Sequence, residues 1–582
     1  MRVHLRAAAS IVLEDVGFSL ELRPRAGSPG IVEVLSYPPG STTQPELEPD
    51  EHFVEAFGCL GLVELGGKTY LLILVPPVGL ATPNEPGMNV ERVEEVLSYC
   101  VDDLRQLPSA NHPSHPCFHL RQVLTDGSFA YSKTIDLTSR LQTRIRVQQQ
   151  RADACAPTAR SGISTPTVVL RHEHGTVEYT WNAYLLEPLN LLRLSLDPTA
   201  KTAFDSRSFM VPVIQGYYGA RDVEFGADKV TVSVISRRGW ARAGTRFKKR
   251  GIDGDGSVGN FAETETILET SSHVVSFVQL RGSVPLYWQE KPRLVGAVKL
   301  DISQPLADVS LPPFLRHMRW AVKTYGRVHA LSFLSDDPHD SLAAEAALGS
   351  AYEQLCALGQ AQSRRLRDTL VFEKYSIHKA EVLSNGVASM PREIGRDVDG
   401  LLDEYGATTA GFDERSGSYV LATEQKGVFR VNCRDCLDRS NLGEFSISAA
   451  MLDKQLAKLG LPPLEGSQLE KAHRDLFSTN GDALSQIYAG SRAMNSSFIR
   501  TGKVTRAQKL ENAEASELRY VQATRRDDDK NRATEILTGQ WKEQQWAPQL
   551  VLVEPAPSTS SKPSRRHTDS DSGSLSDLDL DV

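Results

Sequence analysis

Two cysteines, two aspartates and two arginines stand within seven residues of the segment VNCRDCLDRSN (431–441). The spacing from Cys433 to Arg439 is C-x5-R, and the flanking residues predict a strand before the cysteine and a helix leaving near Ser440. A helix that begins there would direct backbone N–H groups and the positive end of its dipole at one point. The segment therefore predicts an anion-binding loop that contains a cysteine.

In such a loop Cys433 is expected to be a thiolate, because helix N-termini and nearby guanidinium groups lower the pKa of a thiol. A thiolate can attack phosphorus as a nucleophile. Arg439 is expected to hold two phosphoryl oxygens through its planar guanidinium group. Ser440 is expected to cap the helix and to donate a hydrogen bond to the sulfur.

Cys433 and Cys436 also form a C-x-x-C pair, which is typical of half a zinc site, a redox pair or a disulfide loop. A zinc site needs four ligands, and the sequence has no second C-x-x-C. A redox pair leaves Arg439 unexplained. The seven cysteines follow no disulfide framework and the N-terminus has no signal-peptide pattern, so we expect a reducing, cytosolic setting.

The whole composition restricts the class of protein. Hydrophobic residues make up 40% and charged residues 24% of the 582, which is typical of a globular protein with several domains. The net charge of −8 argues against bulk nucleic-acid binding but allows a local basic site. No apolar run reaches the roughly 18–20 residues that span a bilayer.

The elements that must position the loop divide the chain into three ranges. Residues 1–180 are predicted to be β-rich, with strands in GIVEVLSY, FGCLGLVEL and KTYLLILV and one helix over 89–107. Residues 181–548 mix strands such as KVTVSVIS, HVVSFVQL and KGVFRVN with helices, including one over 339–375, which predicts an α/β domain. Residues 549–582 are predicted to be a disordered acidic Ser/Asp tail.

The string from Asn432 to Asn441 closely resembles the signature of the SAC-domain (suppressor-of-actin) phosphoinositide phosphatases, N-C-x-D-C-L-D-R-(T/S)-N. Upstream blocks such as FMVPVIQGYYG, the segment 230–268 and SFVQLRGSVPLYWQE resemble the family's blocks in the family's order, and so does STNGDALSQIYAGSRAMNSSFIRTGK downstream. The resemblance covers roughly residues 130–520. It implies a β-rich N-terminal SAC subdomain before an α/β catalytic domain of the C-x5-R cysteine-phosphatase type.

The resemblance also implies an activity. The substrate would be a phosphatidylinositol phosphate, most often the 4-phosphate, with the 3-phosphate or bisphosphates as alternatives, cleaved through a phosphocysteine without metal or cofactor. Asp435 and Asp438 would be the acid/base candidates, and Ser440 and Asn441 would help to bind substrate. The expected partner is a phosphoinositide in an anionic membrane, reached by a cytoplasmic protein that associates peripherally with endomembranes; no protein partner is indicated. A catalytically weak lipid-binding adaptor is the alternative.

Two further features bear on substrate binding. The segment 237–250 holds seven basic residues in fourteen, and Arg242, Arg246 and Arg250 are candidates for substrate and membrane contact, although a solvated charged face is equally compatible. Arg434 occupies a position that is usually apolar in the family. It could hold a second phosphate of the inositol ring, or its charge could pair with a nearby carboxylate.

Overall fold

The structure is a computed structural model of the 582-residue chain, and it describes most of that chain. It describes residues 1–6, 10–25, 27–28, 30–41, 45, 53–76, 90–103, 112–132, 134–154, 176–207, 209–226, 228–246, 248–291, 299–336, 343–375, 390–503, 512, 514–515, 517–519, 527–541 and 547–553. The predicted tail beyond residue 553 lies outside these residues.

Strands predominate over the first 100 residues, and runs of helices and strands follow. The strands are β1 (Arg2–Arg6), β2 (Ser10–Asp15), β3 (Phe18–Pro24), β4 (Ile31–Tyr37), β5 (Phe53–Glu55), β6 (Gly58–Leu65), β7 (Lys68–Val75), β8 (Val90–Arg92), β9 (Glu95–Cys100), β10 (Phe129–Ser132), β11 (Ile214–Phe225), β12 (Asp228–Arg238), β13 (Ala262–Glu269), β14 (His273–Arg281), β15 (Trp288–Lys291), β16 (Lys299–Ile302), β17 (Arg327–Ser332), β18 (Leu370–Lys374), β19 (Thr408–Asp413), β20 (Ser418–Thr423), β21 (Gly427–Asn432) and β22 (Gln549–Val553). The helices are α1 (Phe118–Leu124), α2 (Leu141–Ala154), α3 (Ala183–Ser195), α4 (Pro198–Asp205), α5 (Leu306–Val309), α6 (Leu311–Tyr325), α7 (Ala343–Gln362), α8 (Arg364–Thr369), α9 (Met390–Asp397), α10 (Asp399–Tyr405), α11 (Asp438–Lys458), α12 (Gln468–Ala489), α13 (Ser496–Thr501) and α14 (Asp527–Leu537). The expected mixed α/β class is confirmed.

The largest sheet has eleven strands, with the path β18-β17-β21-β14-β13-β12-β11-β10-β8 and the hairpin β19–β20 attached to β14. The strands β18, β17, β21 and β14 run parallel to their neighbours, whereas the pairs from β14 onward to β8 are antiparallel. The carboxyl ends of parallel strands meet at one edge of a sheet, and the loops that follow β14, β17 and β21 therefore converge there. That edge is where α/β proteins usually bind ligands.

Helices cover both faces of this sheet. On β21, Val428 packs with α6 and α7 on one face, while Phe429 and Val431 pack with α11 and α12 on the other. Both faces of the strand are buried, as expected for a parallel strand with helices on each side. The strand that leads into the loop is thereby fixed on both faces.

The N-terminal part holds a six-stranded sheet, β22-β4-β3-β2-β1-β5, and a three-stranded sheet, β6-β7-β9. Helices α3 and α4 pack into the core of this part, whereas β8 and β10 join the eleven-stranded sheet. Elements therefore cross the predicted boundary at residue 180 in both directions.

Three predictions of local structure need correction. The segment 89–107 was expected to be a helix, but Glu95–Cys100 is a strand that pairs with β7, because the backbone groups along the edge of β7 need partners. The helix expected over 339–375 ends before Ser363, which caps α8, and Leu370–Lys374 is a strand beside β17. The acidic tail was expected from residue 549, but Gln549–Val553 pairs in parallel with β4, so the apolar run QLVLV completes a sheet.

Candidate active site

The residues from Cys433 to Arg439, here called the cysteine loop, connect β21 to α11 at the carboxyl edge of the large sheet. Cys436 adopts a left-handed backbone conformation with φ of 54°, which turns the chain sharply toward the helix. The side-chain amide of Asn260 donates to the carbonyl oxygens of Asp435 and Cys436 at 3.0 and 3.3 Å. The tight turn is therefore held from outside by a neighbouring loop.

The sulfur of Cys433 lies buried at the start of the cysteine loop, with 3% of the residue exposed. Ser440 Oγ donates to Cys433 Sγ over 3.4 Å, as expected. Ser440 does not cap the helix, because α11 begins at Asp438 and Leu437 is at its N-cap position. Burial by itself would raise the pKa of Cys433, but hydrogen bonding from Cys436, the charge of Arg439 and the Ser440 hydroxyl outweigh it and lower the pKa to about 6. Cys433 is therefore mainly a thiolate at neutral pH.

The second cysteine has the opposite character. Cys436 Sγ lies 2.9 Å from the carbonyl oxygen of Gly282 and 3.2 Å from that of Cys433. Burial, together with the neighbouring Cys433 sulfur, holds the pKa of Cys436 well above its usual value, so it remains a thiol that donates its proton. The two cysteines are thus distinguished by their surroundings, and the geometry favours Cys433 as the nucleophile.

The backbone of the cysteine loop provides an anion site. The N–H groups of residues 434–440 donate no hydrogen bond to any residue that the structure describes, and the first bond of the helix is donated by Asn441 to the carbonyl of Leu437. Unpaired N–H groups at a helix start carry partial positive charge. These groups lie at the N-terminal end of α11, next to Cys433, and can donate hydrogen bonds to phosphoryl oxygens.

Arg439 is held by a bidentate ion pair with Glu345 on α7. Its Nη1 and Nη2 atoms lie 2.8 Å from the two carboxylate oxygens, and Nη1 also donates to the carbonyl of Phe333 at 3.0 Å. The charge of Arg439 overcomes the burial of Glu345 and lowers the pKa of that carboxyl. One edge of the guanidinium group is thereby fixed, and its Nε is left to meet a ligand.

Asp435 is ion-paired with two arginines of the basic segment. Its carboxylate accepts from Arg246 Nε at 3.1 Å and from Arg250 Nη2 at 2.7 Å, and Arg246 Nη2 lies 2.9 Å from Oδ2. Burial opposes ionisation, but the charges of Arg246, Arg250 and Arg434 hold the pKa of Asp435 well below its usual range. Arg246 and Arg250 therefore bind the cysteine loop itself.

Arg434 is paired with a carboxylate, which is the second of the two expected arrangements. Its Nη2 lies 2.6 Å from Glu290, and Arg250 Nη2 contacts the other oxygen of the same carboxylate at 2.5 Å. The carboxylate of Glu290 is almost fully buried between them. Glu290 thus links the loop to the basic segment.

Asp438, at the first position of α11, is also ion-paired. Arg519 contacts both carboxylate oxygens at 3.0 Å, and the backbone N–H of Met494 donates to Oδ1 at 2.5 Å. Asn441 lies deeper, where its side chain donates to the carbonyl of Phe477 and only 1% of the residue is exposed. Asn441 therefore supports the helix from within the core and does not border the loop opening.

The rest of the basic segment also has internal partners. Arg242 donates twice to the carbonyl oxygen of Arg250, at 2.7 and 3.3 Å. Lys248 and Lys249 pair with Asp528 and Glu535 of α14 at 2.8 and 3.3 Å. Arg242 and Lys249 are thus partly buried with partners inside the protein, whereas Lys248 forms an ion pair on the surface.

Four supporting residues, Asn260, Glu290, Glu345 and Arg519, were not predicted from the sequence. Asn260 and Glu290 stand inside the segments that carry the family resemblance, and that is the only signal that could have found them. Glu345 and Arg519 come from segments whose own pattern is that of an ordinary helix surface. Among the described residues, no group of three or more His, Cys, Asp or Glu side chains is placed to hold a metal ion.

Comparison with known proteins decides the family. The model of the SacI homology domain matches residues 57–381, more than half of the chain. The chain belongs to the SacI homology domain family. The matched range of the SacI homology domain ends before the cysteine loop.

Relatives of this SacI-family chain are named as phosphoinositide phosphatases. It is 30% identical over 508 residues to the polyphosphatidylinositol phosphatase INP53 of Saccharomyces cerevisiae, covering 83% of this chain and 43% of that protein. It is 27% identical to the phosphatidylinositol-3-phosphatase SAC1 of Drosophila melanogaster, covering 83% and 74%, and 28% identical to synaptojanin-2 of Homo sapiens, covering 83% and 28%. The chain thus spans less than half the length of INP53. Within the described residues, no helix is both long and apolar enough to cross a membrane.

Proposed function

We propose that this protein hydrolyses a phosphate monoester of phosphatidylinositol phosphates through a phosphocysteine intermediate on Cys433. The observation that carries the proposal is the Cys433 sulfur, whose pKa is about 6 and which lies beside backbone N–H groups that have no described partner. A thiolate nucleophile next to such donors suits phosphoryl transfer to sulfur. The names of two SacI-family relatives, a polyphosphatidylinositol phosphatase and a phosphatidylinositol-3-phosphatase, support phosphatidylinositol phosphates as the substrate class.

In the first step a lone pair of the Cys433 thiolate forms a bond to phosphorus, and the bond from phosphorus to the inositol oxygen breaks. The developing charge on the phosphoryl oxygens is met by the N–H groups of residues 434–440 and by Arg439. Ser440 stabilises the thiolate before the attack and again when sulfur leaves. The inositol oxygen takes a proton from Asp435 or Asp438 as it departs, so one of these carboxyl groups has to be protonated when the substrate is bound.

In the second step a water oxygen attacks phosphorus, the sulfur–phosphorus bond breaks, and inorganic phosphate leaves with the thiolate restored. The water proton goes to the carboxylate that lost its proton in the first step. Asp435 and Asp438 are both candidates for this group, and both are ion-paired with arginines. An incoming phosphate competes for Arg246 and Arg250, and this competition would release Asp435.

The first substrate that we propose is phosphatidylinositol 4-phosphate, with the 3-phosphate and the bisphosphates as alternatives. The name of the Drosophila relative specifies the 3-phosphate and that of INP53 a polyphosphatidylinositol. We further propose that the protein acts from the cytoplasm at the surface of endomembranes, where such lipids are presented in an anionic bilayer.

The test is phosphate release from water-soluble short-chain phosphatidylinositol 4-phosphate, with the 3-phosphate and bisphosphates in parallel. Cys433→Ser should lose at least about a thousandfold in kcat, because a serine hydroxyl is not ionised at neutral pH. Cys436→Ser is the matched control, since serine keeps a donor at that position, and it should retain most activity. Activity should also survive a chelator, because Arg439 and the N–H groups supply the positive charge.

Release by Cys433→Ser at the wild-type rate would contradict the phosphocysteine mechanism, and so would loss of activity in chelator that a divalent ion restores. A wild-type protein that binds the lipids without releasing phosphate would instead be the lipid-binding adaptor. The Cys436→Ser control separates a general loss of structure from loss of the nucleophile.

A further inference from the structure

A separate cavity of about 320 Å³ lies near the base of the basic segment. It is enclosed by the turn after β12, the loop that precedes β13, and helix α6, and its lining contains no residue of the cysteine loop. A cavity of this volume is at the small end of the range for small-molecule sites. It can hold a six-membered ring with one substituent, but not a lipid with its acyl chains.

The walls of the cavity are aromatic. Trp240, Phe261 and Trp320 line it, and the rings of Phe261 and Trp320 are packed edge to face with centroids 5.5 Å apart. The C–H faces of a saturated ring pack favourably against such surfaces, as does any flat apolar body. The walls therefore favour a compact ring as the occupant.

Two arginines on the lining carry positive charge. Arg316 is exposed on α6 and donates one bond, to the carbonyl of Gly254. Arg242 Nη1 is 3.8 Å from Asp253, beyond hydrogen-bond distance, so this nitrogen remains available to a ligand. Asp255 also lines the cavity as an exposed carboxylate, so the charges of Arg242 and Arg316 are partly offset by Asp253 and Asp255.

Glu178 adds a polar group that has no other explanation. Its carboxyl group has no hydrogen-bond or ion-pair partner among the residues that the structure describes. Burial, together with the charge of Glu263, raises the pKa of Glu178 to about 8. At neutral pH the group is an uncharged acid, which donates a hydrogen bond to a hydroxyl or ether oxygen. Glu178 is partly buried and faces the cavity, so water or a ligand there can accept its hydrogen bond.

We propose that this cavity binds a small phosphorylated polyol, with its phosphate taken by Arg242 and Arg316, its ring against the aromatic walls and one hydroxyl accepting from Glu178. Such a ligand could be a free cyclitol phosphate or the headgroup of a phospholipid. The site is distinct from the cysteine loop, and its occupancy does not depend on whether the loop is catalytic.

The experiment measures binding of inositol 1-phosphate by equilibrium dialysis to full-length protein that carries Arg439→Gln, which disables the phosphate site of the loop. One molecule should bind per chain. Arg316→Gln should weaken this binding at least about tenfold, since a charge-assisted hydrogen bond is lost. Arg319→Gln is the matched control, because Arg319 is exposed on the same helix but does not line the cavity.

Glu178 gives a second, independent measurement. Glu178→Gln keeps an uncharged donor and should bind nearly as well as the parent protein, whereas Glu178→Leu should bind at least about tenfold more weakly. Thermal unfolding of both variants checks that the fold is intact. The leucine variant should be at least as stable as the parent, because it replaces an unpaired polar group with an apolar one.

No binding in the Arg439→Gln background would overturn the proposal, and so would equal effects of Arg316→Gln and Arg319→Gln. Inorganic phosphate binding as tightly as inositol 1-phosphate would overturn recognition of the polyol. Vesicles of phosphatidylcholine with and without phosphatidylinositol identify the source. Binding of the vesicle lipid together with the soluble probe assigns the site to a membrane headgroup, and binding of the soluble probe alone assigns it to a free cyclitol phosphate.

Discussion

Replacing Ser440 by alanine should raise the pKa of Cys433 without disturbing the loop. The hydroxyl is fully buried and donates to the sulfur over 3.4 Å. A hydrogen bond to a charged group contributes about 1.5–3 kcal/mol, and a long bond to sulfur belongs at the low end of that range. Because 1.36 kcal/mol corresponds to one pKa unit, we expect the pKa to rise by about one unit, from about 6 to roughly 7.

This shift has a measurable consequence for the thiolate population. At pH 7 a thiol with a pKa of about 6 is roughly nine-tenths ionised, and one with a pKa of roughly 7 is about half ionised. Alkylation of Cys433 by iodoacetamide can be followed by mass spectrometry of the loop peptide. The pH at which its rate reaches half of the maximum should be about one unit higher in Ser440→Ala than in the wild type. Ser440→Thr is the matched control, because it keeps the hydroxyl.

The same shift should appear in the pH dependence of stability. The pKa of Cys433 is lowered on folding, so its ionisation stabilises the native state above the pKa of the unfolded thiol, and this contribution is lost as the pH falls through about 6. In Ser440→Ala this stabilising contribution should be lost completely at a higher pH than in the wild type. If the alkylation profiles of Ser440→Ala and wild type coincide, the hydroxyl does not stabilise the thiolate.

Three further substitutions test the surroundings of the loop. Glu345→Gln should raise KM about tenfold with a smaller effect on kcat, because Arg439 loses a charged partner that orients it; unchanged kinetics would show that the pair is not needed. Asp435→Asn should lower the midpoint of thermal unfolding by several degrees, since two guanidinium groups lose a buried counter-charge, and a midpoint equal to wild type would refute this. Arg434→Val should change kcat/KM equally for monophosphate and bisphosphate lipids, because Glu290 holds the arginine; a shift toward the monophosphate would place its charge on a second phosphate.

The centre of the candidate site could be predicted from the sequence because it is local. Cys433, Arg439 and Ser440 lie within eight consecutive residues, and a strand before them and a helix after them fix their relative positions. The period of the apolar residues predicts both elements. No long-range contact has to be known in order to bring the sulfur, the guanidinium group and the hydroxyl together.

Where long-range pairing decides the structure, local patterns were insufficient. The apolar residues in 89–107 repeat at a helical spacing, yet β9 forms because the edge of β7 offers hydrogen bonds along its whole length. The same holds for Gln549–Val553, which is distant from β4 in the sequence but pairs with it. Glu345 is likewise an ordinary residue of α7 until the sheet brings it against Arg439.

The basic segment shows that a count of charges does not by itself predict the partners of those charges. Seven basic residues in fourteen suggested either a solvated face or contact with substrate and membrane, and neither interpretation included partners within the protein. Acids that are distant in sequence pair with five of the seven: Glu263 and Glu265 with Arg237, Asp435 with Arg246 and Arg250, Asp528 with Lys248, and Glu535 with Lys249.

It follows that neutralising this segment is not a clean test of membrane binding. Substituting Arg246 and Arg250 would remove the counter-charges of Asp435 and leave a carboxylate unpaired beside the Cys433 thiolate, which raises the pKa of the sulfur. Activity on a soluble short-chain lipid would then fall together with vesicle binding. A variant that loses only vesicle binding is expected only where the substituted basic residue does not contact the cysteine loop. A variant that loses both vesicle binding and activity on the soluble lipid indicates that the cysteine loop itself has been disturbed.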